Sequence, residues 1–166
     1  MSEQEATYIA TRHLAREGAL LDRLDWDAWL QLYREDAVYW VPGWIDEDTM
    51  TTDVRTQVSL IYHTRRNELL DRIVRIRSRK SVTAMPLPRT SHSTSNVLVE
   101  SAEAGRIVGR ASFVVHEHHP RLRRNDTLFG RYEFELAEDG SGWRYARKKT
   151  VLLNDLIPTL VDFYNI

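Results

Sequence analysis

The sequence predicts an α+β fold, a cone in which N-terminal helices pack on a strongly curled, mostly antiparallel sheet. Three observations carry that expectation. Residues 24–42 combine an amphipathic helix with a strand that is apolar on both faces. Four long segments with period-2 alternation fill residues 90–153. Glycines sit inside two of those segments, at Gly109 and Gly130, where a sheet must bend sharply. At 166 residues the chain suits one domain, 1–166, that buries roughly 70% of its unfolded surface.

In chain order, residues 3–21 read as a helix. Ala6, Ala10, Leu14 and Leu21 form its inner stripe, leaving Arg12, Arg16 and Glu17 for solvent. In the next helix Trp26, Trp29, Leu30 and Tyr33 fall on one face. Asp25 is placed to cap it, and Leu24 with Trp29 to staple its entry. The run Ala37-Val38-Tyr39-Trp40-Val41 predicts a strand covered on both sides, stopped by Pro42. Residues 43–53 form a polar, acidic loop carrying Trp44. Its cluster Asp46, Glu47 and Asp48 lacks the glycine turn and ligand spacing of a calcium loop, so it reads as solvated.

A short strand is expected over 58–62 and a helix over 67–77. That helix is capped by Asn67, carries Leu69, Leu70, Ile73 and Val74 inward, and pairs Asp71 with Arg75. Between Arg65 and Lys80 stand seven basic and two acidic residues without interleaved aromatics, a solvated or interface face rather than a nucleic-acid stripe. Residues 81–89, with Pro86 and Pro88, read as a crossing loop. Strands follow over 90–101, 107–116, 127–137 and 143–153. Ile107, Ala111, Phe113 and Val115 face inward from the second, and Leu128, Tyr132, Phe134 and Leu136 from the third. The apolar tail with Leu160, Val161, Phe163, Tyr164 and Ile166 is expected to dock.

Bulk properties exclude several classes. A net charge of −1 provides no field for nucleic acid or membrane. No apolar run approaches the ~20 residues that span a bilayer. The acidic N-terminus does not resemble a signal peptide, so the expected location is cytoplasmic. The absence of cysteine removes disulfides, thiolate nucleophiles and thiolate-held iron–sulfur clusters, a Rieske centre included.

Candidate chemistry is sparse. His116-Glu117-His118-His119 places His116 and His118 on one strand face, as two ligands of a metal triad would stand, but Glu117 points away and Pro120 follows. Asp36 and His92 are an alternative catalytic pair, able to abstract and return a proton in the mouth of a cone. Bulky Trp26, Trp29, Trp40 and Tyr132 plug that cone and weigh against a substrate cavity. The polar stretch Arg89-Thr90-Ser91-His92-Ser93-Thr94-Ser95-Asn96 suits a strand that meets another protein. Phosphate loops, nucleophile elbows and zinc-protease helices are absent.

The ordered stretches WDAWLQLYREDAVYWVPGW, SLIYHTRRNELLDRIVRIRS, RTSHSTSNV and KKTVLLND resemble the small (β) subunit of bacterial aromatic-ring-hydroxylating dioxygenases over essentially the whole chain. The Trp helix is shared with the wider nuclear-transport-factor-like cone superfamily. The stretch Val41-Pro42-Gly43-Trp44, followed by acidic residues, is similar to the benzoate, toluate, halobenzoate and anthranilate subgroup. The resemblance implies a non-catalytic assembly subunit that holds no metal or cofactor. It implies an α3β3 complex whose large (α) subunit carries the Rieske [2Fe-2S] cluster and mononuclear Fe(II), fed with electrons by a separate NADH-dependent reductase. Within such a complex Arg89, Ser91, His92, Asn96, Trp44, Phe163 and Tyr164 are the expected subunit-interface residues.

Overall fold

The computed structural model describes residues 1–79, 85–157 and 160–166. The first helix, α1 (Glu3–Asp22), starts where Ser2 Oγ accepts from Glu5 N at 3.1 Å and carries Glu3 and Glu5 in its first turn. Both features favour the positive end of a helix. Its inner stripe contains the expected residues together with His13, Gly18 and Leu20, and Glu17 is buried among them rather than facing solvent.

The second helix, α2, covers Trp26–Leu30, capped by Asp25. It ends earlier than its periodicity predicts because Tyr33 opens strand β1 (Tyr33–Pro42), registered against Tyr145. Leu24 does not act as a staple: it is exposed, at φ 58°. Strand β2 is Ser59–His63, one residue later than expected, with Val58 left in solvent. Helix α3 is Arg66–Arg77, preceded by Arg65 at the cap. Glu68 Oε2 accepts from Thr64 N at 2.8 Å and Arg65 N at 3.1 Å. Its buried stripe is Leu69, Ile73 and Ile76, while Leu70 and Val74 stand on the outer side. Arg75 turns to Asp162 instead of Asp71.

The four long strands are β3 (Arg89–Glu103), β4 (Arg106–His119), β5 (Arg124–Glu138) and β6 (Trp143–Leu152). They form a six-stranded sheet in the order β2-β1-β6-β5-β4-β3. Neighbours run antiparallel except for the parallel β1/β6 pair, where the chain crosses over. The inward rows of β4 and β5 are those expected, with Phe113 stacked on Tyr132 at 4.3 Å between ring centroids. At Gly130 a Cβ would stand 1.9 Å from Val151 O, so only glycine allows β5 and β6 to approach there. β3 bulges between Val99 and Ser101, where Val99 pairs with Gly109.

α1 packs on β3, and the tail docks against both through a 3-10 turn at Phe163–Asn165. Phe163 is fully buried and stacks on Trp29 at 4.7 Å, a burial that contributes roughly 1.5–3 kcal/mol. Asp162 anchors this turn by accepting from Arg72 Nη1 at 2.9 Å and Arg75 Nη2 at 3.1 Å. Lys80 and residues 81–84 of the expected crossing loop lie outside the described residues.

Candidate functional site

The interior of the cone is filled by a charged cluster. Glu17 follows Leu14 by three residues and precedes Leu21 by four, so it completes the inner stripe of α1 and must enter the core. Its Oε1 accepts from Tyr33 Oη at 2.6 Å, Lys148 Nζ at 2.8 Å and Trp29 Nε1 at 3.2 Å. Its Oε2 accepts from Tyr145 Oη at 2.7 Å. Lys148, from β6, also lies over the Tyr132 ring, 4.0 Å from its centroid. Burial pushes the Glu17 carboxyl upward, but the ammonium and the hydroxyl donors outweigh it and hold the group below its usual range. Burial drives Tyr33, Tyr132 and Tyr145 upward. His13 packs edge-on to Tyr145 at 4.5 Å and is lowered to about 4, chiefly by burial. The carboxylate is sealed and saturated, which suits it to hold α1, α2, β1 and β6 in register rather than to exchange protons with a substrate.

The alternative catalytic pair is not assembled. Asp36 is exposed on β1 and paired with Arg34 at 2.9 Å. His92 lies on β3 at the far side of the sheet order, its side chain 3% exposed, with Nδ1 2.6 Å from Asp22 Oδ1. Asp22 also accepts from His92 N at 3.0 Å and Thr90 Oγ1 at 2.9 Å. Its partial burial acts to raise its pKa, but these bonds prevail and keep it ionised below the usual range. An ionised Asp22 accepts from His92 Nδ1, and His92 Nε2 is buried without a hydrogen-bond partner among the described residues. Gly18 makes room for the ring: a Cβ there would stand 2.9 Å from His92 Cβ. The pair therefore tethers the end of α1 to the edge strand. Nothing local in the sequence marks Asp22 as its acidic partner, whereas alternation along Thr90, His92 and Thr94 is the signal that this row turns toward α1.

The other row of β3 faces outward. Arg89, Ser91, Ser93, Ser95 and Asn96 are exposed, and β3 is the last strand of the sheet. Asn96 sits at φ 51° and donates from Nδ2 to Ser112 Oγ at 3.3 Å. Trp44 is 41% exposed and donates from Nε1 to Leu152 O at 2.8 Å. Among the seven expected interface residues, Arg89, Ser91, Asn96 and Trp44 thus present surface. The side chain of His92, and Phe163 and Tyr164, are already buried by their own chain.

The histidine run divides between the two faces of β4. His116 and His118 meet Thr127 at 3.0 Å and Asn125 at 2.8 Å on the outer face. Glu117 and His119 turn inward, with His119 Nε2 2.9 Å from Glu117 Oε2 and 3.2 Å from Asp126 Oδ2. Burial raises the Glu117 pKa, outweighing the pull of His119 and Asn165. Among the described residues no group of three His, Cys, Asp or Glu side chains could hold a metal ion. With no cysteine in the chain, the donor set also does not fit a Rieske cluster. In the acidic loop Asp46 accepts from Asp48 N and Thr49 N, shaping its own turn. Among the described residues no helix is long and apolar enough to cross a membrane.

The chain is 38% identical to the 2-halobenzoate 1,2-dioxygenase small subunit of Burkholderia cepacia, covering 100% of both chains. It is 36% identical to the anthranilate 1,2-dioxygenase small subunit of Acinetobacter baylyi, covering 98% of each. Its fold superposes on the crystal structure of the benzoate 1,2-dioxygenase β subunit of Burkholderia mallei with a TM-score of 0.79, at 34% identity and 95% coverage of both chains. The family model described as ring hydroxylating beta subunit matches residues 16–159, and the chain belongs to that family.

Proposed function

We propose that this chain is the non-catalytic small subunit of the terminal oxygenase of an aromatic-ring-hydroxylating dioxygenase, three copies assembling with three large subunits. The observation that carries the reading is similarity along the full length to small subunits of such enzymes. The sealed Glu17–Lys148 cluster supports it, since it leaves the cone without a reachable acid or base at its centre. The substrate class is an aromatic carboxylate, the feature common to 2-halobenzoate, anthranilate and benzoate, the substrates in the relatives' names. In this reading the Rieske cluster and the mononuclear iron belong to the large subunit, and an NADH-dependent reductase supplies electrons in the cytoplasm. This chain supplies surface and rigidity. Arg89, Ser91, Asn96 and Trp44 are its proposed contact residues, while Asp22, through His92, holds the polar strand in place. The stand-alone isomerase or dehydratase reading loses its motive, because Asp36 and His92 have different partners.

The test is to purify the tagged chain alone and from its native host, recording complex mass and iron content. A large iron-bearing complex from the host, together with an iron-free chain alone, supports the reading. A chain that is partnerless and iron-free in both preparations contradicts it.

A further inference from the structure

Two exposed surfaces of the molecule carry opposite charge. One is the outward face of α1. From Tyr8 to Ala19 its exposed residues are Tyr8, Thr11, Arg12, Ala15, Arg16 and Ala19, cations without an acid, because Glu17 turns inward. Neither Arg12 nor Arg16 has a hydrogen bond or ion pair among the described residues. Beside them runs a groove of about 540 Å³ lined also by Tyr8, Ile9, His13 and Trp143. Burial keeps His13 neutral at ordinary pH, with Nε2 unpartnered, so the positive charge comes from the arginines.

The other surface is the finger formed by residues 43–50. Ile45 N donates to Thr49 O at 2.8 Å and Thr51 N to Gly43 O at 2.9 Å, and Asp46 closes the tip from within. Glu47 and Asp48 are left exposed, and neither carboxylate accepts a hydrogen bond among the described residues. Trp44 and Ile45, 41% and 53% exposed, stand beside them. An apolar, acidic finger thus matches an aromatic, basic groove in charge and in kind.

Their placement is suited to association of copies. The finger joins β1 to β2 and its Trp44 meets Leu152, the last residue of β6, whereas the α1 groove borders Trp143, the first residue of that strand. Unlike patches on different sides of one chain make a head-to-tail contact, which generates a ring when its rotation closes. We propose that the 43–50 finger of one copy seats in the α1 groove of the next, with Glu47 and Asp48 against Arg12 and Arg16. This deepens the multi-copy reading of the preceding subsection and rests on it.

The experiment uses the chain co-produced with its large subunit, with mass and iron measured for the wild type, R12E/R16E, E47R/D48R and the chain carrying all four reversals. Circular dichroism and thermal melting of each purified chain confirm folding. The expected result is loss of the full-mass complex in either double reversal and its return when all four are combined. Raising the salt concentration should weaken the wild-type contact, as screening requires. Folded double reversals of full wild-type mass, or folded chains with four reversals that remain dissociated, would overturn the docking. A wild-type chain that never assembles with a large subunit would instead overturn the reading on which it rests.

Discussion

Glu17 and Glu117 are both buried carboxyls, yet their surroundings push them in opposite directions. Glu17 has four donors within 3.2 Å and stays below its ordinary value despite complete burial. Glu117 has the His119 imidazole at 2.9 Å and Asn165 beside it, too few donors to offset burial, and is raised. Partner geometry, not depth, decides which form of a buried acid is stable. Glu17 sits where four elements converge and acts as their joint. Glu117 sits near the end of β4, next to the docked tail, where fewer donors reach it.

The largest test of this contrast removes the cation. Lys148→Met leaves Glu17 buried without its counter-charge and should lower the unfolding free energy by about 3–5 kcal/mol. Adding Glu17→Gln to that variant should restore much of the loss, and urea denaturation of the single and double variants measures both. A Lys148→Met chain as stable as the parent would break the comparison.

The next effect is on pH. Glu17 is depressed below its ordinary 4.5, so its contribution is complete above that value and disappears as pH falls through the folded-state pKa. Glu117 is raised above its ordinary 4.5, so its contribution is complete below that value and is lost as pH rises through the folded-state pKa. Urea midpoints measured across acid pH should fall less steeply in the E17Q/K148M double variant than in the parent. The smallest effect is expected from Glu117→Gln. At pH 7 its midpoint should be no lower than the parent's, since the amide keeps the shape and removes the cost of burying charge. A loss as large as that of Lys148→Met would erase the distinction between the two acids.

Much of the fold was legible because period and burial coincide. Alternation along β4 and β5 specified their inward rows, and Ala6, Ala10 and Leu14 specified the inner face of α1. Glu17 was readable in principle, since it completes that stripe, but its charge argued for solvent until Lys148, 131 positions along, supplied the compensation. The same holds for His92: its row could be read, its partner could not. Asp22 ends α1, and only folding brings it to β3. Tyr33 fitted the helical face of α2, yet pairing with β6 claimed it for β1, a tertiary override of local periodicity. The tail's docking followed from its composition. Its anchor did not, because Arg72 and Arg75 reach Asp162 across the fold.

The contrast between a sealed interior and an outward polar strand supports a chain that positions others rather than reacting itself. The most direct test is turnover per iron in the assembled oxygenase carrying Asp22→Asn together with His92→Gln, the acid–imidazole pair that ties α1 to β3. The account expects turnover per iron to match the wild-type complex, with any change confined to how much complex forms. A fully assembled, iron-loaded complex whose turnover drops by about a hundredfold, the size of a missing general acid or base, would contradict it.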